Sequence, residues 1–333
     1  MLGGSSTKGL RKRILYYSRI FPAYFGGGTS QLSFWHERPA VNTNCPYNSI
    51  GEYYMTFEDK ASYGGPFDVE GIPLLDYRGK IGRQYNPIAI AQYGLANWNR
   101  YLLLGERKYF QRAKKQADWL VENLVENRYG VPVWNHDFDW EYREMLKAPW
   151  YSGLAQGNGI SLLVRVAHET GEGKYSSAAE KAYHSMSLPV DEGGVIYIDD
   201  KGDRWIEEVI ITPPTHILNG FLWALWGVWD YYLLTGKSEV KRDFESFVST
   251  LCNNLDRYDI GYWSLYELAG LKLKMVASPF YHSLHCVQLK VISTLTSRDI
   301  FEEYAERWEN YANSLLNRCH ALSAKALFKI VYY

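Results

Sequence analysis

The chain has 333 residues, a formal net charge of -1 and a sequence pI of about 6.7, so overall charge draws it neither to nucleic acid nor to an anionic membrane surface. At 47% hydrophobic and 22% charged residues it has the composition of a folded globular protein, long enough for one large domain or two modest ones. Its four cysteines, Cys45, Cys252, Cys286 and Cys319, lie far apart, which argues against a disulfide framework and a zinc site and for a reducing compartment.

The opening run 8–17 (KGLRKRILYY) is basic, but the apolar residues after it are too interrupted by Tyr, Ser and Arg for a signal sequence. No stretch approaches the roughly 20 apolar residues of a membrane span, and the expectation is a cytoplasmic protein. Residues 1–86 are rich in Gly, Pro, Tyr and Ser and read as an irregular arm of short strands and turns, with turns at 25–29 (FGGGT) and 63–66 (YGGP).

From Pro87 the apolar spacing becomes helical, beginning with Ile88, Ala91, Leu95 and Trp98. Helices are predicted in pairs: 88–104 with 108–127, 153–170 with 174–187, 216–235 with 240–256, and 281–296 with 300–316. Gly105, Gly171 and Gly236 stand where the first members of three pairs should stop. The hairpins recur at about 65 residues, a weak internal repeat. Between pairs lie three long segments, 128–152, 188–215 and 257–280, which hold Trp134, Trp140, Trp150, Tyr197, Trp205, Tyr262 and Trp263 and should form strands and turns around one mouth. Trp223, Trp226 and Trp229 read as core. The fold expected is mainly α, an incomplete α/α toroid or barrel of helical hairpins at 87–333. The β-containing arm at 1–86 contributes to the cleft, and a stacked α-solenoid is the competing architecture.

The densest chemistry is near the end, in 258–268 (YDIGYWSLYEL) and 278–285 (SPFYHSLH), where tyrosines and histidines gather at helix starts. A phenol moves a proton near neutral pH only when its surroundings supply charge or hydrogen bonds, so Tyr266 and Tyr281 beside His282 and His285 suggest difficult proton transfer.

Several blocks resemble, in order, the D-glucuronyl C5-epimerase family, also called heparosan-N-sulfate-glucuronate 5-epimerase: 86–95 (NPIAIAQYGL), 117–123 (ADWLVEN), 149–165 (PWYSGLAQGNGISLLVR), 205–208 (WIEE), 218–221 (LNGF) and the two stretches above. The resemblance implies an isomerase that inverts carbon 5 of D-glucuronosyl residues to L-iduronosyl residues in a heparosan- or heparan-like polysaccharide. It further implies no cofactor, a glucuronate-containing polymer as partner, and a homodimer. Residues 94–118 leave no room for the β-sandwich that the animal enzymes insert after the first helix, so calcium sites in that insert have no counterpart. Two positions depart from the family's pattern: Val209 stands where a tyrosine follows the acid pair, and Ala269 stands where an arginine follows the motif of Tyr266.

Inversion at carbon 5 removes a proton alpha to a carboxylate, so cations or strong donors must meet the developing charge, and a base on one face must oppose an acid on the other. The candidate donors are Arg83, Arg78, His136, His282 and Asn219. By resemblance Tyr266 and Tyr281 lie near one face, Glu208 is a further acid/base group, and Tyr63 or Tyr85 from the arm closes the other side. His282 is the available donor for Tyr281, and Arg83 for the arm tyrosines. Trp134, Trp150 and Tyr151 are expected to line an elongated cleft, with Gln92 and Gln156 as further binding residues and no metal site. Three alternatives remain open at this point: a uronate lyase, which starts with the same proton abstraction, an inverting glycoside hydrolase using carboxyls among Asp137, Asp139, Glu207 and Glu208, and a non-catalytic helical binding protein, which would need none of the tyrosines at the loop ends.

Overall fold

The computed structural model describes residues 21–25, 34–35, 37–77 and 79–332. The basic run at 8–17, the glycine turn at 26–28 and Arg78 lie outside the described residues.

Four helical hairpins carry the fold: α1 (Pro87–Leu104) with α2 (Arg107–Glu122), α3 (Gly153–Thr170) with α4 (Gly173–Ser185), α5 (Leu218–Thr235) with α6 (Ser238–Asn254), and α7 (Pro279–Thr296) with α8 (Asp299–Asn313). Local chemistry sets their ends. Asn86 caps α1 by accepting from the Ile88 and Ala89 amides at 2.9 and 3.2 Å, with Pro87 in the first turn where no amide is needed. Ser278 and Pro279 start α7 in the same way. Gly105, Gly171 and Gly236 each close a helix with φ between 65° and 71°, the left-handed cap that their positions in the sequence suggest.

The first helices of the first three pairs are buried on nearly every face over most of their length: α1 is buried from Pro87 to Asn99, α3 from Gly153 to Ala167, and α5 over almost all of its first fourteen residues. The second helices are amphipathic and present one apolar stripe inward. Packing runs α1 on α3, α3 on α5 and α5 on α7, with α2, α4, α6 and α8 outside, and no comparable packing returns α7 to α1. This is the incomplete α/α toroid that the sequence suggests.

Two elements differ from expectation. The second helix stops at Glu122, because Val125–Glu126 (β3) turns back to pair with Pro132–Val133 (β4). A further long helix, α9 (Leu315–Tyr332), follows α8 where the sequence pattern suggests none. It docks through Ala321, Lys325 and Phe328, a sparse apolar face with little signal in the sequence.

The long connections form short antiparallel pairs. Asn135–His136 (β5) pairs with Trp150–Tyr151 (β8), Trp140–Glu141 (β6) pairs with Met145–Leu146 (β7), and Ile196–Ile198 (β9) pairs with Arg204–Ile206 (β10). They meet at one end of the ring. The Gly153 amide donates to the Glu207 carbonyl at 2.9 Å, Leu218 to Tyr266 at 3.1 Å, and Leu268 to Thr215 at 2.8 Å. At the opposite end, Tyr53 and Tyr54 are buried against Trp226, and the Tyr54 hydroxyl donates to Asp230, which also holds Arg165 at 2.6 Å. That pair is fully buried and closes the base of the ring, whereas a hairpin of Leu74–Asp76 (β1) and Arg83–Tyr85 (β2) reaches the mouth. No described helix is long and apolar enough to cross a membrane.

Candidate functional site

Beyond β10 the neighbouring carboxylates Glu207 and Glu208 meet different partners. Glu207 is buried and anchors the next turn: it accepts from the amides of Thr215 and His216 at 3.3 and 3.1 Å, and its other oxygen lies 2.5 Å from His216 Nδ1. Glu208 faces the mouth. Asn219 Nδ2 donates to its Oε2 at 3.4 Å, and Gly220 leaves the space it occupies, since a methyl there would fall 2.1 Å from that oxygen. Burial, then the charges of Glu207 and Glu267, push the Glu208 carboxyl up to about 8.

Tyr266 and Tyr281 meet beside it, with ring centroids 4.9 Å apart and ring planes at 65°. The Tyr266 hydroxyl bears on that of Tyr281 in the sense that favours the Tyr281 phenolate. Burial and the Glu208 charge hold both phenols above their ordinary value; for Tyr281 only the Tyr266 hydroxyl pulls the other way. Both tyrosines are therefore protonated at neutral pH, and Glu208 is the group whose charge changes near it.

Three residues absent from the sequence-based site complete the cluster. Glu267, next to Tyr266 and almost fully buried, accepts from the Tyr142 hydroxyl and pairs with the Arg143 guanidinium. Tyr142 stands close enough to Glu208 for that charge, after burial and Glu267, to raise its pKa. Glu267 was visible inside the motif of Tyr266. Tyr142 and Arg143 lie in the long segment 128–152, with nothing local in the sequence to single them out.

Of the residues expected from sequence, Tyr266, Tyr281, Glu208 and Asn219 come together. The arm residues do not join them through any described hydrogen bond or ring contact. Tyr63 donates to the Leu74 carbonyl at 2.8 Å and packs against Phe34 and Phe67. Tyr85 donates to Asp68 at 2.7 Å, which with burial pushes its phenol up to about 12, and its ring lies on Trp119. Arg83 is exposed on β2 and bears on Tyr63.

Several binding candidates are structural in this arrangement. Trp134 is fully buried and donates to the Leu120 carbonyl at 2.8 Å, so it cannot line a cleft. Gln156 is spent on the Trp134 amide at 3.0 Å and Ser185 Oγ at 2.8 Å. Gln92 is buried inside the ring and donates to Asn158 at 2.9 Å. Tyr151 turns toward Asn127, Arg128 and Tyr129.

His282 is corrected most sharply. Its Nδ1 accepts from the Ser264 amide at 3.2 Å, its Nε2 faces the Trp308 carbonyl at 2.8 Å, and its ring stacks on Trp263 at 3.8 Å. Burial brings it down to about 4, so it is a neutral core histidine and supplies no cation to Tyr281. His136 is likewise buried, held near 3 and stacked at 3.9 Å on Trp150, whose indole donates to Phe138. This pair props the mouth: Phe138 carries Tyr77 of the arm, 4.7 Å away between centroids.

The profile of the family described as "D-glucuronyl C5-epimerase C-terminus" matches residues 128–310, which contain Tyr142, Glu208, Tyr266, Glu267 and Tyr281. A D-glucuronyl C5-epimerase of Caenorhabditis elegans is 32% identical over 212 residues, which cover 59% of this chain and 34% of the worm protein. An uncharacterized protein of Methanocaldococcus jannaschii is 24% identical over 73% of this chain and 84% of its own length. Among solved structures, cellobiose 2-epimerase from Spirochaeta thermophila superposes with a TM-score of 0.51 at 11% identity, over 93% of this chain and 86% of that one, which is a likeness of fold.

Proposed function

The chain belongs to the D-glucuronyl C5-epimerase family, and from that premise we propose that it inverts carbon 5 of D-glucuronosyl residues in a heparosan-like polysaccharide. One observation carries the reading: a carboxyl poised near neutral pH stands beside two phenols packed edge to face at the mouth of the ring.

In the glucuronate-to-iduronate direction, the Glu208 carboxylate takes the proton from carbon 5. The Tyr281 hydroxyl delivers its proton to the opposite face, and the phenolate left behind is met by the Tyr266 hydroxyl. Exchange with solvent then removes the proton from Glu208 and restores Tyr281. Running the steps backwards regenerates glucuronate, so no redox change is involved. The charge that builds on the substrate carboxylate needs donors fixed in advance. Asn219 gives one N–H of its amide to Glu208 and keeps a second beside the cluster that can serve in this way.

Products distinguish the readings. Incubation with unsulfated glucuronate polymer should give iduronate signals in the NMR spectrum without new chain ends. Unsaturated ends would make the chain a lyase, new reducing ends a hydrolase, and an unaltered polymer would remove the enzymatic reading altogether.

Gly220→Ala supplies a separate check on Glu208. The added methyl displaces the carboxylate by a fraction of an ångström to an ångström, and misplacement on that scale costs up to about 10²-fold in rate. Iduronate formation by Gly220→Ala should fall accordingly, while its circular dichroism spectrum stays that of the wild type.

A further inference from the structure

Behind the stretch that carries Tyr266 lies a cavity of about 260 Å³, which the proposed chemistry does not use. Its wall includes Arg143, Arg257, Lys274 and Glu267, with Leu265 and Met275 giving apolar surface. Glu267 is already matched by Arg143. Arg257 donates to the neutral Asn254 side chain at 2.7 Å, and among the described residues neither Arg257 nor Lys274 is in an ion pair. Two unmatched positive charges therefore face a space large enough for part of a sugar.

The cavity is joined to the reacting cluster through one side chain. Tyr266 turns to Tyr281, its neighbours Leu265 and Glu267 line the cavity, and the Tyr142 hydroxyl reaches Glu267 from the side of Glu208. A polymer with its reacting unit at Glu208 can lay a later unit over this edge.

We infer that Arg257 and Lys274 form an anion subsite that holds an acidic group of the polymer, a carboxylate or a sulfate ester, on a sugar beyond the one that reacts. The apolar wall takes the sugar's C–H face and the two cations take the anion. Only the identity of the polymer rests on the epimerase reading; the subsite itself is a binding claim with its own test.

The test measures binding of the wild type and of the Arg257→Gln/Lys274→Gln double variant to three polymers: unsulfated glucuronate polymer, its N-sulfated form and its carboxyl-reduced, neutral form. Both residues are exposed, so the variant should melt with the wild type, and this is checked first. Removing two charge-assisted hydrogen bonds to the anion should weaken binding of the acidic polymers by about tenfold or more, steepest at low salt, and leave the neutral polymer's binding alone. An equal loss with both acidic polymers assigns the subsite to carboxylate; a larger loss with the N-sulfated one assigns it to sulfate. Wild-type affinity of the variant for both acidic polymers at low salt overturns the subsite. If wild-type protein forms iduronate in that case, the epimerase reading stands without it. If the charge-dependent loss is seen but no iduronate forms, the subsite stands and the epimerase reading falls. A wild type that binds none of the polymers overturns both.

Discussion

Tyr281→Phe is expected to lower turnover by about 10²- to 10⁴-fold, the range for removing a positioned proton donor, with KM changing far less. The phenol-to-phenyl change keeps the ring against Tyr266, 4.9 Å away between centroids and edge-on, so packing and melting temperature should hold close to the wild type. What is lost is the hydroxyl that, in the proposed mechanism, returns a proton to the face opposite Glu208. Tyr266→Phe should also lose turnover, by a smaller factor, because the Tyr281 phenolate would form without its donor. Steady-state rates of iduronate formation beside thermal melts check both, and near-wild-type turnover in both variants would remove the phenol pair from the mechanism.

Glu208→Gln should be as damaging and should change the pH profile as well. The carboxyl is pushed up to about 8 by burial first and by Glu207 and Glu267 next. Abstraction from glucuronate needs the ionised form, so kcat/KM should climb with pH through that value and level above it. The variant should lose both the rate and the limb. Stability should move the other way. The native carboxyl keeps its proton up to about 8, whereas the unfolded chain releases it near 4.5, so over that window the folded state binds more protons and loses stability as pH rises. Glutamine removes this penalty. Glu208→Gln should therefore melt above the wild type at pH 8 to 9, with the gap closing as pH falls toward 4.5. A variant less stable than the wild type at pH 9 would mean that Glu208 is held charged in the native state.

The same two residues show what a sequence can and cannot convey about a site of this kind. Helical hairpins were legible because inner and outer helices each carry a period set by burial, and because Gly105, Gly171 and Gly236 occupy positions that only a left-handed cap explains. Tyr266, Tyr281 and Glu208 were legible as ordered blocks. Their environment was not. Whether a histidine faces solvent or a carbonyl depends on partners far along the chain, and His282 is fixed by Ser264 and by Trp308, 26 residues away. Tyr142 joins Glu267 across 125 residues, a pairing that no local pattern records. The arm tyrosines failed for the same reason: Tyr85 is committed to Asp68, a neighbour created by the turn between them. Ala269, where the family's pattern has an arginine, lies beside such a long-range pair. Arg143, from a different loop, brings a guanidinium to Glu267 and lines the same cavity wall as Ala269.

The central claim is that two groups act on opposite faces of carbon 5, and the fate of the proton tests it most directly. In deuterium oxide, at conversions low enough that product does not return, the account predicts that new iduronate carries deuterium at carbon 5 while unreacted glucuronate remains unlabelled, because Glu208 removes the substrate proton and Tyr281 supplies one exchanged from solvent. Iduronate that keeps the original proton, or label that enters glucuronate as fast as iduronate forms, would contradict it.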